Sequence, residues 1–178
     1  MNAIFNPAST KAEQLRFACG DSWLGATLVA MSAKGVVAIL IGDDPAKLRR
    51  ELAAAFPQAH LVDDDDDALQ DVLRAVSDFL EAPGRGLNLP LDIRGDALQQ
   101  AVWTALRATP SGQTITYGQI AKSLPMPATA QEVGAACAAN VLAVAIPCHR
   151  VVKADGSISG YRWGVARKKR LINREALA

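Results

Sequence analysis

The sequence is short of the side chains that staple chains or cage metals: three cysteines, Cys19, Cys137 and Cys148, and two histidines, His60 and His149. Three scattered thiols cannot form a disulfide framework, and two histidines cannot complete a ligand cluster, so no structural metal and no disulfide is expected. No run approaches the roughly 20 apolar residues that span a bilayer, and the first residues lack the charged head and apolar block of a leader, so no membrane partner is expected. Net charge is also scarce, with 19 Lys+Arg against 18 Asp+Glu. The balance hides a split: residues 1–90 hold 8 basic and 13 acidic residues (−5), residues 91–178 hold 11 and 5 (+6). A polyanion would meet the second half. What the chain has in quantity is apolar residues, 50% of 178. That excludes a disordered chain and suits one domain, or two small ones, with a real core, in a soluble cytoplasmic protein.

Ser22–Ser32 (SWLGATLVAMS) and Gly35–Gly42 (GVVAILIG) are β-prone runs separated by a short connection, predicting paired antiparallel strands. Pro45 opens a helical stripe of Leu48, Leu52, Ala55 and Phe56 that Pro57 closes. Five consecutive aspartates, 63–67, repel one another and cannot all face one cation; they read as a solvated loop, with Asp67 capping the next helix. That helix carries Leu69, Val72, Leu73, Val76 and Leu80 inward and ends near Pro83-Gly84. Alternating Leu87, Leu89, Leu91 and Ile93 predict another strand.

Asp96 caps a helix running to about Ala108, with Leu98, Val102 and Leu106 on one face and Trp103 beside them. Thr116-x-x-Gln119 and Thr129-x-x-Glu132 each fit a capping box, so two short helices begin near Tyr117 and Ala130, the second running to about Ala139. The turn between them holds Pro125 and Pro127, and the pair reads as a helix-turn-helix, a geometry shared by many corners that bind nothing. Val165–Leu177 is a basic helix, with Leu171 and Ile172 left to face inward.

Cys148 follows an apolar stretch and Pro147 and precedes His149. Only a thiolate is strongly nucleophilic, and an unassisted thiol supplies little of it at neutral pH. Successive side chains on extended backbone diverge, so His149 would reach the sulfur through a water, with a carboxylate orienting the ring. The alternative is a small core cysteine beside a satisfied polar histidine.

Pro147-Cys148-His149-Arg150-Val151, with Tyr117, Asn140, Tyr161 and Glu175 at matching offsets and Ser159–Gly164 reading SGYRWG, resembles the O6-alkylguanine-DNA alkyltransferases, the methylated-DNA–protein-cysteine methyltransferases. The Ada and Ogt branch is most similar, and the resemblance is strong from about Leu98 to Leu177. It implies an α/β (α+β) fold: residues 1–94 a ribonuclease-H-like antiparallel sheet with helices, residues 95–178 a helical part with the helix-turn-helix and cysteine loop. It also implies a nucleoid-associated monomer without the zinc-bearing regulatory part of Ada. In the implied chemistry an alkylated guanine is flipped out of double-stranded DNA, and Cys148 takes its O6-alkyl group irreversibly, once, without cofactor or metal. His149 is then the water-mediated base, Glu175 its orienter, Asn140 a brace and Tyr117 the proton donor to departing guanine. Tyr161, Val151 and Trp103 contact the base, and Thr129, Ala130, Gln131 and Arg150 meet the DNA.

Each role has a plainer counterpart. Glu175 lies in a basic helix where a surface ion pair is ordinary, Tyr117 can simply bury its ring, and Asn140 can be a left-handed helix terminator. Cys19 and Cys137 read as core thiols, and Trp103 and Trp163 suit packing. The chain also departs from the resembled pattern. Gln131 stands where the family inserts an arginine into the base stack, Ala128 replaces an upstream cation, and Glu132 adds an anion. Weaker duplex binding is expected, although glutamine can hydrogen-bond in the minor groove. Two other functions stay open: a module that binds alkylated DNA without repairing it, and a variant reacting mainly with free O6-benzylguanine-like substrates. A cysteine hydrolase ranks last, for want of an oxyanion hole.

Overall fold

The computed structural model describes residues 11–178; the start of the expected 1–94 segment lies outside the described residues. The apolar runs form a sheet ordered β3-β2-β1-β4, from β1 (Gln14–Ser22), β2 (Gly25–Met31), β3 (Val36–Gly42) and β4 (His60–Asp63). β1–β2 and β2–β3 are antiparallel, the second being the predicted pair, while β4 joins β1 in parallel. Almost every residue of β2 and β3 is buried, as uninterrupted apolar strands covered on both faces must be.

Two amphipathic helices pack on the sheet. α1 (Pro45–Ala55) buries Leu48 and Leu52 and begins where the Asp44 carboxylate accepts from the Ala46 amide. α2 (Asp67–Glu81) buries Leu69, Val72, Val76, Phe79 and Leu80, with Leu73 half-buried against Gly20. Its cap is Asp66, accepting from the Leu69 amide at 2.9 Å, and Asp67 is the first helical residue, a one-residue correction. Nor is the aspartate run only a solvated loop. Asp63 ends β4 and pairs with Arg49 at 2.8 Å, and Asp64 and Asp66 pair with Arg16. Parallel pairing with β1 brings Asp64 and Asp66 within reach of Arg16, while Arg49 reaches Asp63 from α1. The strand expected over residues 87–93 reduces to one parallel bridge, Val36 with Leu91. Pro90 lends its carbonyl to the Val36 amide but has no N–H with which to continue a ladder.

α3 (Ala97–Arg107) buries Val102, Trp103 and Leu106 behind an Asp96–Gln99 capping box. The two expected boxes close as read: Thr116 starts α4 (Tyr117–Ser123) and Thr129 starts α5 (Ala130–Ala139). A two-residue parallel pair, β5 (Ile115–Thr116) with β6 (Val151–Val152), carries the chain out of the cysteine turn, and α6 (Val165–Ala176) closes the molecule.

The cysteine turn hangs from the sheet edge. Ile39 donates to the Val141 carbonyl and accepts from the Ala143 amide, both at 2.9 Å. Val144 then adopts φ 59°, a left-handed conformation that costs a β-branched residue about 1–3 kcal/mol. The anchored strand edge before it and the Asn140 brace around it hold that reversal.

Candidate active site

Cys148 begins a 3-10 turn, Cys148–Arg150, and is 4% exposed. Asn140 ends α5 in an extended conformation (φ −66°, ψ 127°), so the left-handed terminator is not its role. Its side chain instead binds three residues of the loop: it accepts from the Leu142 amide (2.8 Å) and donates to the Leu142 carbonyl (3.4 Å), the Ile146 carbonyl (3.0 Å) and Cys148 Sγ (3.3 Å). Every polar atom of this buried amide is engaged, which fixes where the sulfur lies.

The ring of His149 is fully enclosed, and its Nε2 lies 2.7 Å from Glu175 Oε1. Arg150 grips the same carboxylate through Nε (2.9 Å) and Nη2 (2.8 Å) and donates from Nη1 to the Thr109 carbonyl (2.6 Å). Burial alone would raise the Glu175 carboxyl, but hydrogen bonds from His149 and Arg150 hold it at about 2. An ionised Glu175 must receive a proton donor, so Nε2 carries the hydrogen and Nδ1 presents its lone pair. Burial pushes His149 below its ordinary value against the pull of Glu175, leaving it neutral at pH 7. Nδ1 has no partner among the described residues, and neither ring nitrogen bonds Cys148 directly. That is the divergence expected of adjacent side chains.

In front of the sulfur is a cavity of about 350 Å³ lined by Tyr117, Gly134, Cys137, Cys148, Tyr161 and Arg162 among others. The Tyr117 hydroxyl bonds the Ser159 hydroxyl, which also accepts from Lys168 Nζ at 3.1 Å. Lys168 lies over the Tyr117 ring and is 1% exposed, and burial lowers its ammonium below the ordinary value. Tyr161 buries its hydroxyl without a partner among the described residues and stands edge-on to His149 and Trp163. Burial pushes both phenols, Tyr117 and Tyr161, upward, so both remain protonated donors.

Cys148, His149, Glu175, Asn140, Tyr117 and Tyr161 therefore converge on one site. Three expected contacts do not. Arg150 is buried in the Glu175 ion pair and offers no cation to a phosphate. Val151 is 0% exposed and spent in β6, off the cavity wall. Trp103 is 4% exposed and donates its indole N–H to the Ala136 carbonyl (2.9 Å), packing behind α5. Thr129, Ala130 and Gln131 are exposed at the start of α5, with Glu132 beside them. The Glu132 carboxylate accepts from the Thr129 amide at 2.7 Å, so its charge sits at the helix N-terminus.

Sequence reasoning missed Ser159, Lys168 and the cavity position of Cys137. Lys168 carried a readable signal: it precedes Leu171 by three residues and Glu175 by seven, in phase with the buried stripe of α6. Ser159 carried none, since it acts through loop geometry alone.

A helix-turn-helix thus stands beside a buried cysteine that faces a cavity and is backed by a histidine, glutamate and arginine cluster. A family model for the 6-O-methylguanine DNA methyltransferase DNA-binding domain matches residues 97–177. The inducible methylated-DNA–protein-cysteine methyltransferase of Bacillus subtilis is 36% identical over 84% of this chain and 84% of its own. The chain belongs to this methyltransferase family. It is 50% identical, over 91% of its length, to the bifunctional transcriptional activator/DNA repair enzyme Ada of Escherichia coli, and it spans 46% of that protein. The Mycobacterium tuberculosis OGT structure in complex with DNA superposes with TM-score 0.77 at 28% identity, covering 91% of this chain and 93% of that one.

Proposed function

We propose that the protein is a single-turnover DNA-repair alkyltransferase that moves the O6-alkyl group of a flipped-out guanine in double-stranded DNA onto Cys148. The observation that carries this reading is the neutral, fully buried His149, held by Glu175 and Arg150 with Nδ1 unpartnered, next to a cysteine that faces an open cavity. In the resting site the Cys148 thiol is held protonated by the neighbouring Cys137 thiol and by burial. His149 takes that proton through an intervening water. The sulfur attacks the alkyl carbon, the S–C bond forms as the C–O6 bond breaks, and guanine leaves with a proton from the Tyr117 hydroxyl. The thioether has no leaving group to return, so each molecule reacts once, and the proposed chemistry calls on no cofactor or metal. The DNA complex of the M. tuberculosis relative supports the partner.

Residues 95–178 hold the reactive machinery in this reading, and the described part of residues 1–94 buttresses it, within a cytoplasmic protein. The exposed face of α5 favours a second outcome. Gln131, Glu132 and Ala130 provide no cation there, so duplex affinity is low and free O6-benzylguanine competes well as a substrate. Intact-mass and peptide mass spectrometry after incubation with an O6-methylguanine duplex and, separately, free O6-benzylguanine tests both. One alkyl group on Cys148 from the duplex supports repair, while labelling by the free base alone supports chemistry with poor DNA engagement. No adduct from either overturns the proposal.

A further inference from the structure

Cys137 takes no part in the reaction above, yet it lies in the last turn of α5 on the wall of the same cavity as Cys148. Asn140 ties the two residues together. Its backbone N–H donates to the Cys137 carbonyl at 3.2 Å, and its side-chain amide donates to Cys148 Sγ at 3.3 Å. Both thiols line that cavity, each shifts the acidity of the other as near neighbours do, and both are free. The arrangement places two thiols together on the wall of a cavity open to small molecules.

We propose that Cys137 and Cys148 form an oxidisable dithiol, and that a small peroxide entering the cavity closes it to a disulfide that reversibly withdraws the alkyl acceptor. The inference rests on Cys148 being that acceptor. Cys137 is half-buried on the cavity wall where Cys148 is buried, so a peroxide meets the Cys137 sulfur first, and the neighbouring Cys148 thiol lowers Cys137 and favours its thiolate. Its sulfur attacks a peroxide oxygen: the S–O bond forms, the O–O bond breaks, and the departing hydroxide takes up the proton that Cys137 released. Cys148 then attacks the sulfenyl sulfur; the S–S bond forms, the S–O bond breaks, and the oxygen leaves as water with the Cys148 proton. Two thiols lose two electrons, and hydrogen peroxide gains them to become two waters. For a protein that uses its thiol once, stopping oxidation at a disulfide keeps the sulfur off the irreversible sulfinic step.

The test treats the full chain with hydrogen peroxide near neutral pH, blocks remaining thiols, and maps peptides without reduction. Acceptor capacity toward O6-benzylguanine is read before oxidation, after it, and after dithiothreitol. The expected result is a Cys137–Cys148 linked peptide, with capacity lost on oxidation and regained on reduction. In Cys137→Ser, scored against its own untreated capacity, no linked peptide forms and no part of the capacity is lost reversibly: what peroxide removes is not regained on reduction, and a variant that loses nothing equally shows that the reversible loss needs Cys137. Sulfinic Cys148 with no linked peptide, or equal recovery in the two proteins, overturns the dithiol. Failure of the function is separately visible: an untreated protein that accepts no alkyl group yet forms the linked peptide overturns the withdrawal of an acceptor and leaves the dithiol chemistry standing.

Discussion

His149 has one nitrogen committed to Glu175 and the other free, and its enclosure fixes which protonation state the site uses. Its folded pKa lies below the ordinary 6.5 because burial disfavours the imidazolium. An unfolded His149 therefore takes its proton at higher pH than the folded one. Its contribution to stability is complete above about pH 6.5 and is lost as pH falls through the lower folded value. Glu175 acts in the same direction: with a folded value of about 2, it stabilises above the ordinary carboxylate range and loses that contribution as pH falls toward 2. Alkyl transfer is accordingly expected to run at a level rate from pH 8 down to 6.5, with its acid limb lower. A rate profile on protein shown to be folded by circular dichroism checks this, and a limb at or above 6.5 contradicts a buried neutral base. Glu175→Gln leaves Arg150 buried without its counter-charge. A loss of about 3 kcal/mol in urea unfolding is expected, at the low end for breaking a buried pair because the amide keeps one acceptor oxygen. Stability equal to the parent would show that the pair is not buried as described.

At the scale of elements, α5 combines a strong start with a weak electrostatic face. Thr129 and Glu132 satisfy each other's orphan amides, so Thr129→Ala is expected to cost about 1 kcal/mol. Thermal unfolding reads that loss, and no change would mean that the box contributes nothing in solution. Gln131→Arg places a cation on the exposed first turn. Duplex binding should tighten, and the slope of log affinity against log salt should steepen by roughly 0.9 for one added phosphate contact. Binding titrations at three salt concentrations decide this: an unchanged slope would show that α5 does not approach the backbone. The caps of these helices were legible because a capping box is written within four residues. The strand expected over residues 87–93 and the unforeseen pairing of β4 show the converse. Alternation marks an extended chain, but a ladder needs a partner edge, and nothing local announces one.

Across the whole molecule, the arginines of α6 turn away from the role that their charge suggests. Arg167 donates to the Leu24 carbonyl and pairs with Asp43, and Arg170 donates to the Trp23 carbonyl. The guanidiniums of Arg170 and Arg174 lie over the Trp23 ring at 4.9 and 5.4 Å, and Arg174 also pairs with Glu81. The positive half of the chain thus clamps onto the negative half, through a helix that also bears Lys168 and Glu175. Trp23→Ala removes the platform for both cations and a half-buried ring. A loss of about 2 kcal/mol is expected, together with slower alkyl transfer as α6 loosens its hold on Glu175. Urea unfolding and single-turnover kinetics measure the two effects, and a destabilised variant with an unchanged rate would separate the clamp from the site.

The sequence by itself determined the starts of α3, α4 and α5, the β2–β3 pair, most of the inward stripes and the Pro147-Cys148-His149-Arg150 motif, because each is written in contiguous residues or in a helical period; the α2 cap fell one residue early, and Ile172 is only half-buried. Only the tertiary structure decided which way the cations face. Arg150 turned inward because Glu175, 25 residues later, needed a second donor in a buried site. Lys168 went under because α6 presents it on the same stripe as Leu171 and Glu175. Trp103 was claimed by the Ala136 carbonyl rather than by the cavity, and Cys137 was brought to Cys148 by the turn that Asn140 braces. These outcomes depend on desolvation and on partners distant in sequence, and a buried charge or thiol takes its properties from such neighbours.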